Sequence, residues 1–385
     1  MSEVTRRAFV GMAAVAGGAA ALGPSRPKKA PAGGGAARAV DFTVDGVPFT
    51  TAEWADLLAR LSAPGRIAGD EYSRGGAVES LEVEFAQLLG KEAAVFMPSG
   101  TLANQLAVRK LAGARRRVIV QESSHLYNDT GDCADQLSQL TLLPLAPGKA
   151  TFSWEDVERA LDRTASGRVA AEVGVISIES PVRRLHGETF DFGQMQRVSA
   201  EARKRGIGLH LDGARLFVAA AYSGRSPGEY CALFDTVYVS LWKCFSSGGG
   251  AVLAGPKALL ADMFQLRRMF GGALWNAWPY AAVASHQAEG YLERLTAAVR
   301  VSEALIALLS ADARFGVERV PGGTSLFRLT PKTPDLAAFR QRLAARGIAV
   351  GPADGAGFWL KVNETLQGAS AQALAGAFRA CLSSV

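Results

Sequence analysis

Short apolar runs alternate with helical segments along most of the chain, and this alternation restricts the possible folds more than any other feature. Seven runs have the length and aliphatic character of buried strands, namely residues 93–97, 118–120, 140–145, 173–178, 207–211, 236–241 and 251–254. Amphipathic helices are predicted between several of them, notably at residues 101–111, 153–163 and 194–205. Ser153 and Asp156 have the spacing of a capping box at the start of the second helix. This pattern indicates an α/β fold with a mostly parallel sheet flanked by helices.

The pattern changes after about residue 290. A long helix is followed there by short strands and two further helices, predicted at residues 317–320, 325–329, 335–346 and 370–382. This order is typical of a small α+β unit, and a chain of 385 residues is long enough to bury two or three cores. We therefore predict a signal and linker, a large domain and a small C-terminal domain at residues 1–38, 39–295 and 296–385.

The first 38 residues have the composition of an export signal. Arg6 and Arg7 stand directly before an uncharged stretch rich in Ala and Gly, residues 8–22, and a linker rich in Pro, Gly and Ala follows it. This arrangement is typical of a twin-arginine signal and predicts export across the cytoplasmic membrane to a periplasmic or other extracytoplasmic location, free or anchored. An ordinary basic amphipathic start, with a cytoplasmic protein, is the alternative.

Charge and cysteine content exclude several classes of protein. Of the net charge of +6, five charges lie in residues 1–38, so the rest of the chain is nearly balanced and does not indicate nucleic-acid binding. No apolar run reaches the ~20 residues of a membrane span. The 4 cysteines form no CxxC spacing, and no HExxH motif is present. We therefore expect no metal, no nucleic acid and no membrane span in the mature chain.

Polar and charged residues follow the predicted strands at the points where the strands end. In chain order they are Ser99, Gly100 and Thr101, then His125, Glu179, Asp212 with Arg215, and Lys243. In an open parallel sheet, ligands bind beyond the carboxyl ends of the strands. These side chains are therefore expected to converge on one rim.

The residues of this rim are the types that pyridoxal phosphate requires. A helix start with Ser99, Gly100 and Thr101 suits a phosphate. The ring of His125 can stack on a pyridine, and the carboxylate of Asp212 can pair with the pyridinium nitrogen, which keeps the ring an electron sink. We therefore predict a pyridoxal-phosphate site.

The remaining residues suit the covalent link and the substrate. Lys243 would bind the cofactor's aldehyde through its amine, with a pKa lowered by partial burial. Arg215 offers a planar fork for the carboxylate of an amino acid, and it is the predicted substrate contact together with Glu179. Taken singly, His125 could be structural, Lys243 an edge lysine and Arg215 a helix-cap partner. The order and strand-end placement of all of them together favour the cofactor site.

Five segments of the chain resemble the threonine aldolase and β-eliminating lyase family, pyridoxal-phosphate enzymes of the aspartate aminotransferase fold. They are GDEYSRGGAVESLE, GKEAAVFMPSGTLANQLAV, ESSHLYND, GLHLDGARLFVAA and FDTVYVSLWKCFSSGGGAVLAG. The resemblance covers roughly residues 69–272 and implies the fold-type-I architecture of pyridoxal-phosphate-dependent transferases. By resemblance, Asp212, Arg215 and Lys243 keep the roles given above, and Ser240, three residues before the lysine, contacts phosphate. The family also implies a homodimer or homotetramer.

One departure from the family concerns the reaction. Val182 stands where the family has a histidine that helps to handle the substrate's β-hydroxyl, and His186 is a candidate replacement. The leading hypothesis is threonine-aldolase-like cleavage of a β-hydroxy-α-amino acid into glycine and an aldehyde. The alternatives are β-elimination or other chemistry at Cα, and an exported cofactor-binding protein without catalytic activity.

Two further departures concern the substrate pocket. Trp275 and Trp359 stand where the family has arginines, the second of which helps to clamp a carboxylate. These tryptophans indicate a more apolar pocket or a larger substrate side chain. Arg267 and Arg268 are candidates to take over the binding of phosphate or carboxylate.

Overall fold

A seven-stranded sheet forms the centre of the computed structural model, which describes residues 39–63, 65–169 and 171–382. In chain order, the strands of these residues are β1 (Val40–Asp41), β2 (Ala93–Met97), β3 (Arg117–Gln121), β4 (Thr141–Leu145), β5 (Val173–Glu179), β6 (Gly208–Asp212), β7 (Thr236–Ser240), β8 (Ala251–Gly255), β9 (Phe315–Arg319), β10 (Leu326–Pro331), β11 (Ile348–Ala349) and β12 (Phe358–Lys361). The helices of the same residues are α1 (Thr51–Leu61), α2 (Gly76–Leu88), α3 (Gly100–Ala112), α4 (His125–Asn128), α5 (Cys133–Ser138), α6 (Trp154–Ala165), α7 (Phe192–Lys204), α8 (Leu216–Ser223), α9 (Pro227–Cys231), α10 (Leu241–Cys244), α11 (Lys257–Leu260), α12 (Met263–Met269), α13 (Trp278–Ala288), α14 (Tyr291–Ser310), α15 (Leu336–Ala344) and α16 (Ala371–Ala380).

The central sheet has the strand order β2-β8-β7-β6-β5-β3-β4. Strand β8 runs antiparallel to both of its neighbours, whereas the other neighbouring pairs are parallel. Every residue of β5, β7 and β8 is buried, as expected for strands covered on both faces. The predicted α/β fold with a mostly parallel sheet is therefore confirmed.

Local sequence signals explain where most of these elements begin and end. Helix α6 starts after Ser153, whose side chain accepts a hydrogen bond from the backbone N–H of Asp156 while the Asp156 carboxylate accepts one from the backbone of Ser153. The predicted capping box is therefore confirmed. Strand β7 is one residue shorter than its apolar run, because the chain turns at Leu241 into the short helix α10. Lys243 consequently lies in a helical turn just beyond the strand.

The C-terminal part of the chain contains a second, smaller sheet. Strand β10 pairs antiparallel with β9 and with β12, and the order is β12-β10-β9. A separate apolar cluster packs around this sheet. Helix α14 contributes to both cores, with Tyr291 and Leu295 in the large cluster and Leu305 and Leu309 in the small one. The described residues, from Ala39 onward, group as one compact unit by contacts, and the division at residues 295 and 296 stays a prediction.

The first described residues belong to the C-terminal core in space. Strand β1 pairs in parallel with β11, and Val40 and Phe42 are buried in the small apolar cluster. The side-chain amide of Asn363 donates to the backbone oxygens of Asp41 and Val44 at 2.7 and 2.8 Å. These contacts fix the segment that leads to Asp45, which is important for the site below.

Residues 1–38, which carry the predicted twin-arginine signal, lie outside the described residues. Among the helices of the described ranges, none combines the length and apolar character needed to cross a bilayer.

Candidate active site

The predicted site residues lie at one end of the central sheet. Strand pairing sets Glu179 opposite Asp212, and Asp212 opposite Tyr238. Ser240, at the end of β7, pairs with Ala251 of β8, which in turn pairs with the last residue of β2. The carboxyl ends of β2, β5, β6 and β7 therefore form one rim, as the sequence predicted.

The start of helix α3 forms one side of this rim. Ser99 is its N-cap, and its hydroxyl accepts a hydrogen bond from the backbone N–H of Leu102 at 3.3 Å. Thr101 lies in the first turn of the helix. Gly100 lies so close to the ring of Tyr238 that a Cβ there would be 2.0 Å from the Tyr238 Oη. Because Tyr238 lies two residues before Ser240 on β7, this contact joins the two predicted phosphate-binding segments.

Asp212 is buried and held by two hydrogen-bond donors. Its Oδ2 accepts from the Asn104 Nδ2 at 2.6 Å, and its Oδ1 accepts from the backbone N–H of Ala214 at 3.1 Å. The contacts continue away from Asp212. The Asn104 Oδ1 lies 2.9 Å from the His210 Nε2, and the His210 Nδ1 lies 2.8 Å from the Thr236 Oγ1. Asn104, His210 and Thr236 were not predicted from the sequence as part of the site. The available signal was a set of polar residues at positions where the helical and strand patterns require burial.

Lys243 lies among the charged groups of the rim and is only 8% exposed. Burial lowers the pKa of its amine, and the nearby guanidinium of Arg215 lowers it further. The carboxylates of Asp212, Asp45 and Glu179 act in the opposite direction on this pKa. The predicted environment of a reactive lysine, partly buried and close to Asp212, is therefore present in the structure.

Glu179 uses its carboxylate to position two loops. Its Oε2 accepts from the backbone N–H of His125 at 2.5 Å, and its Oε1 accepts from the backbone N–H of Arg183 at 2.9 Å. Burial, and next the charge of Asp212, raises the pKa of Glu179 to about 7. Both oxygens are engaged with the backbone, so this geometry favours a positioning role for Glu179 over the predicted direct substrate contact.

His125 follows β3 and starts the short helix α4. Burial lowers the pKa of its imidazole, although the charge of Asp212 partly opposes this. In the described part of the chain, its buried Nδ1 has no hydrogen-bond partner, and neither has the hydroxyl of the preceding Ser124. These two polar atoms are therefore available to a ligand.

Arg215 does not present a free fork, because Asp45 occupies it. The Arg215 Nε and Nη2 lie 3.0 and 2.9 Å from the two carboxylate oxygens of Asp45, and both side chains are nearly buried. Lys361 of β12 lies 3.3 Å from the same Asp45 Oδ1. Burial alone would raise the pKa of Asp45, but the charges of Arg215 and Lys361 hold it below its usual value. One carboxylate thus faces two cations, which leaves a positive charge in excess at this place.

The positions that depart from the family have distinct surroundings. The side chain of Val182 is completely buried. The ring of His186 stacks on that of Trp359, with centroids 4.1 Å apart and planes 9° from parallel. Trp359 and Lys361 lie on the same face of β12, because side chains alternate along a strand. The stacked pair therefore lies next to the cation that reaches Asp45.

The two candidate arginines have different roles. Arg267 is buried, and its guanidinium donates to the backbone oxygens of Tyr72, Ser73 and Phe96. These contacts use both of its terminal nitrogens within the protein. Arg268 is exposed, and its guanidinium lies 4.6 Å from the ring centroid of Tyr72. Of the two, Arg268 remains the candidate for binding an anion.

Comparisons with known proteins agree with this geometry. A sequence profile of the family described as beta-eliminating lyase matches residues 50–335. A probable low-specificity L-threonine aldolase of Schizosaccharomyces pombe is 30% identical over 244 residues, which are 63% of each chain. The match thus spans about three fifths of that relative's length.

Solved structures extend the likeness to about nine tenths of the chain. A putative L-allo-threonine aldolase from Listeria monocytogenes is 27% identical with a TM-score of 0.75, covering 89% of this chain and 95% of that one. A putative aromatic amino acid beta-eliminating lyase/threonine aldolase from Exiguobacterium is 25% identical with a TM-score of 0.74, covering 90% and 97%. The predicted fold type I is therefore confirmed.

Proposed function

The chain belongs to the beta-eliminating lyase family, and from this premise we propose that it is a pyridoxal-phosphate-dependent lyase that cleaves a β-hydroxy-α-amino acid into glycine and an aldehyde. The observation that carries the proposal is the buried amine of Lys243 among Asp212, Arg215 and Glu179 at the end of a parallel sheet. The relatives with the proposed activity in their names support the type of cleavage.

The residues of the rim fit the proposed cofactor. The unpartnered Nδ1 of His125 and hydroxyl of Ser124 are buried polar atoms that need a partner. The contact between Gly100 and Tyr238 keeps the start of a 13-residue helix, with its free backbone N–H groups, against the end of β7. In this proposal the phosphate would be held by Ser99, Gly100, Thr101 and Ser240. The ring would be held by His125 and Asp212, and the aldehyde by Lys243.

Each protein group has a defined task. When bound, the cofactor withdraws electrons from the bonds at the Cα of the amino acid. The carboxylate of Asp212 stabilises positive charge on the ring nitrogen, and its two hydrogen-bond donors keep it oriented. Lys243 supplies the amine, and the lowered pKa increases the fraction of this amine that is neutral and nucleophilic.

His125 is the candidate base for the β-hydroxyl. Since burial lowers the pKa of its imidazole, the ring is neutral near pH 7 and can accept a proton. Its Nδ1 is available in the described residues, whereas Val182 offers no polar atom in its side chain. We therefore assign removal of the β-hydroxyl proton to the His125 Nδ1, which allows the aldehyde to leave.

The excess positive charge at Asp45 suits the substrate's α-carboxylate. Arg215 and Lys361 both bind Asp45, and a second carboxylate would balance the second cation. Arg–carboxylate pairs are often bidentate, so the fork of Arg215 can reorient toward the substrate while Lys361 retains Asp45. This arrangement supports an amino-acid substrate and gives Asp45 the role of a counter-ion.

The test combines spectroscopy with product analysis. Purified full-length protein is expected to show a yellow absorbance band, and borohydride treatment should leave the cofactor's added mass on Lys243. Threonine, allo-threonine and phenylserine are the substrates to assay for glycine and aldehyde. K243A should lose the borohydride-fixed mass and the activity, whereas K110A, at a surface ion pair with Asp262, should retain both.

The outcomes separate the competing hypotheses. Glycine from none of the three substrates would exclude aldol cleavage. Cofactor binding without any spectral response to common amino acids would instead favour the non-catalytic alternative. No bound cofactor after reconstitution would overturn the proposal as a whole.

β-Elimination is the second candidate, and the buried Val182 favours it. An apolar side chain at this position cannot accept a proton from a β-hydroxyl. β-Elimination does not require such a base, because it needs only a leaving group at Cβ. Pyruvate and ammonia released from serine or cysteine analogues, without glycine from threonine, would establish this alternative.

We also propose that the protein is exported by the twin-arginine route. The support is the arginine pair at positions 6 and 7, followed by the uncharged stretch. Cell fractionation of the full-length protein tests this, with the R6K/R7K double variant as the comparison. Accumulation of the double variant, but not of the parent chain, in the cytoplasm is the expected result, and cytoplasmic location of both contradicts the proposal.

The assembly is proposed to be a homodimer or homotetramer. Several large apolar side chains are exposed among the described residues, and they include Trp242, Met269 and Trp275, with 52%, 69% and 57% exposure. The ring of Trp275 packs on that of Tyr72, which is also exposed, and contiguous exposed apolar surface is typical of interfaces. Light scattering of the purified protein checks this, and a monomer at micromolar concentration contradicts it.

A further inference from the structure

A chain of buried polar groups leads from strand β7 to the carboxylate of Asp212. It consists of Thr236, His210 and Asn104, and its contacts are 2.8, 2.9 and 2.6 Å long in this order. His210 is completely buried, and Asn104 is 1% exposed. The proposed chemistry uses Asn104 only as a donor to Asp212 and gives no role to His210 or Thr236, and such a sequestered row of polar side chains requires an explanation.

The acceptor at the end of this row of side chains, Asp212, sets the direction of every hydrogen bond in the row. An ionised Asp212 can only accept, so Asn104 must face it with its NH2 group. The amide oxygen of Asn104 then faces the His210 Nε2, which must carry the proton. Burial lowers the pKa of His210 to about 4, so the ring is neutral and its Nδ1 is an acceptor. The hydroxyl of Thr236 must therefore donate to Nδ1.

We propose that Thr236, His210 and Asn104 form a polarised hydrogen-bond chain that fixes the orientation and the negative charge of Asp212. His210 is thus a positioning residue that acts on the ring nitrogen of the cofactor through Asn104 and Asp212. The inference rests on the proposed function, because it assigns Asp212 to that nitrogen.

The N–H of His210 helps to fix which way the side-chain amide of Asn104 points. An Asn side chain can turn its oxygen or its NH2 group toward a neighbour, and the acceptor at Asp212 and the donor at Nε2 together make the present orientation better than the flipped one. Without that donor, the amide oxygen of Asn104 loses its partner, and a flip would bring this oxygen toward the Asp212 carboxylate. The protein would then disfavour the charge that the cofactor's ring nitrogen needs.

Three variants separate this role from simple packing. H210L removes the donor by placing an apolar side chain of similar size at this position. H210Q retains an N–H that can reach Asn104. The control is Q105L, one residue further on the same helix. Gln105 is also buried, but its amide donates to the Cys133 oxygen and the Ser138 hydroxyl, away from Asp212.

The measurement is the affinity for pyridoxal phosphate and for its 1-deaza analogue, which lacks the ring nitrogen. H210L is expected to bind pyridoxal phosphate about tenfold more weakly, a change of about 1.4 kcal/mol, and to bind the deaza analogue as the parent does. H210Q should restore most of the affinity for pyridoxal phosphate. Q105L should bind both ligands like the parent, even where its thermal stability falls by as much as that of H210L.

A second readout needs no cofactor. The chain has 4 histidines, so the imidazole nitrogens can be assigned by NMR of cofactor-free protein labelled with ¹⁵N. The expected state of His210 is neutral with the proton on Nε2, from pH 5.5 to 8. A proton on Nδ1, or a charged ring, overturns the proposal.

The failure of this inference differs from that of the proposed function. If the parent protein binds no pyridoxal phosphate, the proposed function fails. If the parent binds it and H210L weakens the binding of both ligands equally, the function stands and the positioning role of His210 is wrong.

Discussion

Asp45 determines the charge balance at the scale of single residues. It lies between Arg215 and Lys361, and all three side chains are largely withdrawn from water. The sequence predicted Arg215 but not its partner, because Asp45 is 170 positions away and belongs to no motif. Similarly, His210 had no distinguishing signal beyond its place in an apolar strand. Single residues at strand ends could be predicted from the sequence, whereas their long-range partners could not.

We expect D45N to be strongly destabilised, because it leaves two largely buried cations, Arg215 and Lys361, without their shared counter-ion. Breaking a buried pair costs about 3–5 kcal/mol in unfolding free energy, and urea denaturation at pH 7 measures the loss. The control is D262N, whose ion pair with Lys110 is 2.7 Å long but solvent-exposed. It should cost at most ~1 kcal/mol. Equal losses in the two variants contradict the importance of burial at Asp45.

The contact between helix α3 and strand β7 sets the geometry of the rim at the scale of elements. Both elements were predicted from the sequence. Aliphatic runs and amphipathic periodicity are local patterns, so they can be recognised without knowledge of distant contacts. Strands β11 and β12 were missed because they are short and are stabilised by pairing with β1 and β10. The short helix α10, which carries Lys243, was also missed, since a four-residue turn has no periodic signal.

G100A tests this contact between the elements. A methyl group at residue 100 would overlap Tyr238, so either the ring or the start of α3 must move. We expect a loss of about 1–3 kcal/mol in unfolding free energy and weaker cofactor binding, measured by denaturation and by absorbance titration. G376A, at an exposed position of α16 with open space around it, should instead stabilise the protein by about 0.5–1 kcal/mol. Unchanged cofactor binding in G100A would show that the contact is not needed.

At the scale of the whole molecule, a half-buried glutamate makes stability depend on pH. Glu82 of α2 accepts a hydrogen bond from the backbone N–H of Phe96 at 2.7 Å. Burial raises the pKa of this carboxyl to about 7, although the Phe96 N–H and the charge of Arg267 oppose the shift. The folded protein therefore retains a proton there between pH 4.5, the value for an exposed glutamate, and about pH 7.

The unfolding free energy is expected to fall as the pH rises through this window. In the unfolded chain the carboxyl loses its proton first, so the folded state pays the cost of the buried charge at higher pH. The contribution is about 3 kcal/mol, from 1.36 kcal/mol for each pKa unit. E82Q should remove it, as measured by urea denaturation from pH 5 to 8. E79Q, the same change at an exposed position of α2, should retain the parent slope, and an equal slope in E82Q contradicts the prediction.

The meeting of Asp45, Arg215 and Lys361 also has a consequence for biosynthesis. These residues belong to the beginning, the middle and the end of the folded body, and Lys361 arrives with strand β12. A nascent polypeptide that has emerged only to residue 340 lacks Lys361, and it also lacks β11 and Asn363, which hold the segment that leads to Asp45. The charge cluster that we assign to the substrate's carboxylate is therefore completed last, when the C-terminal strand docks.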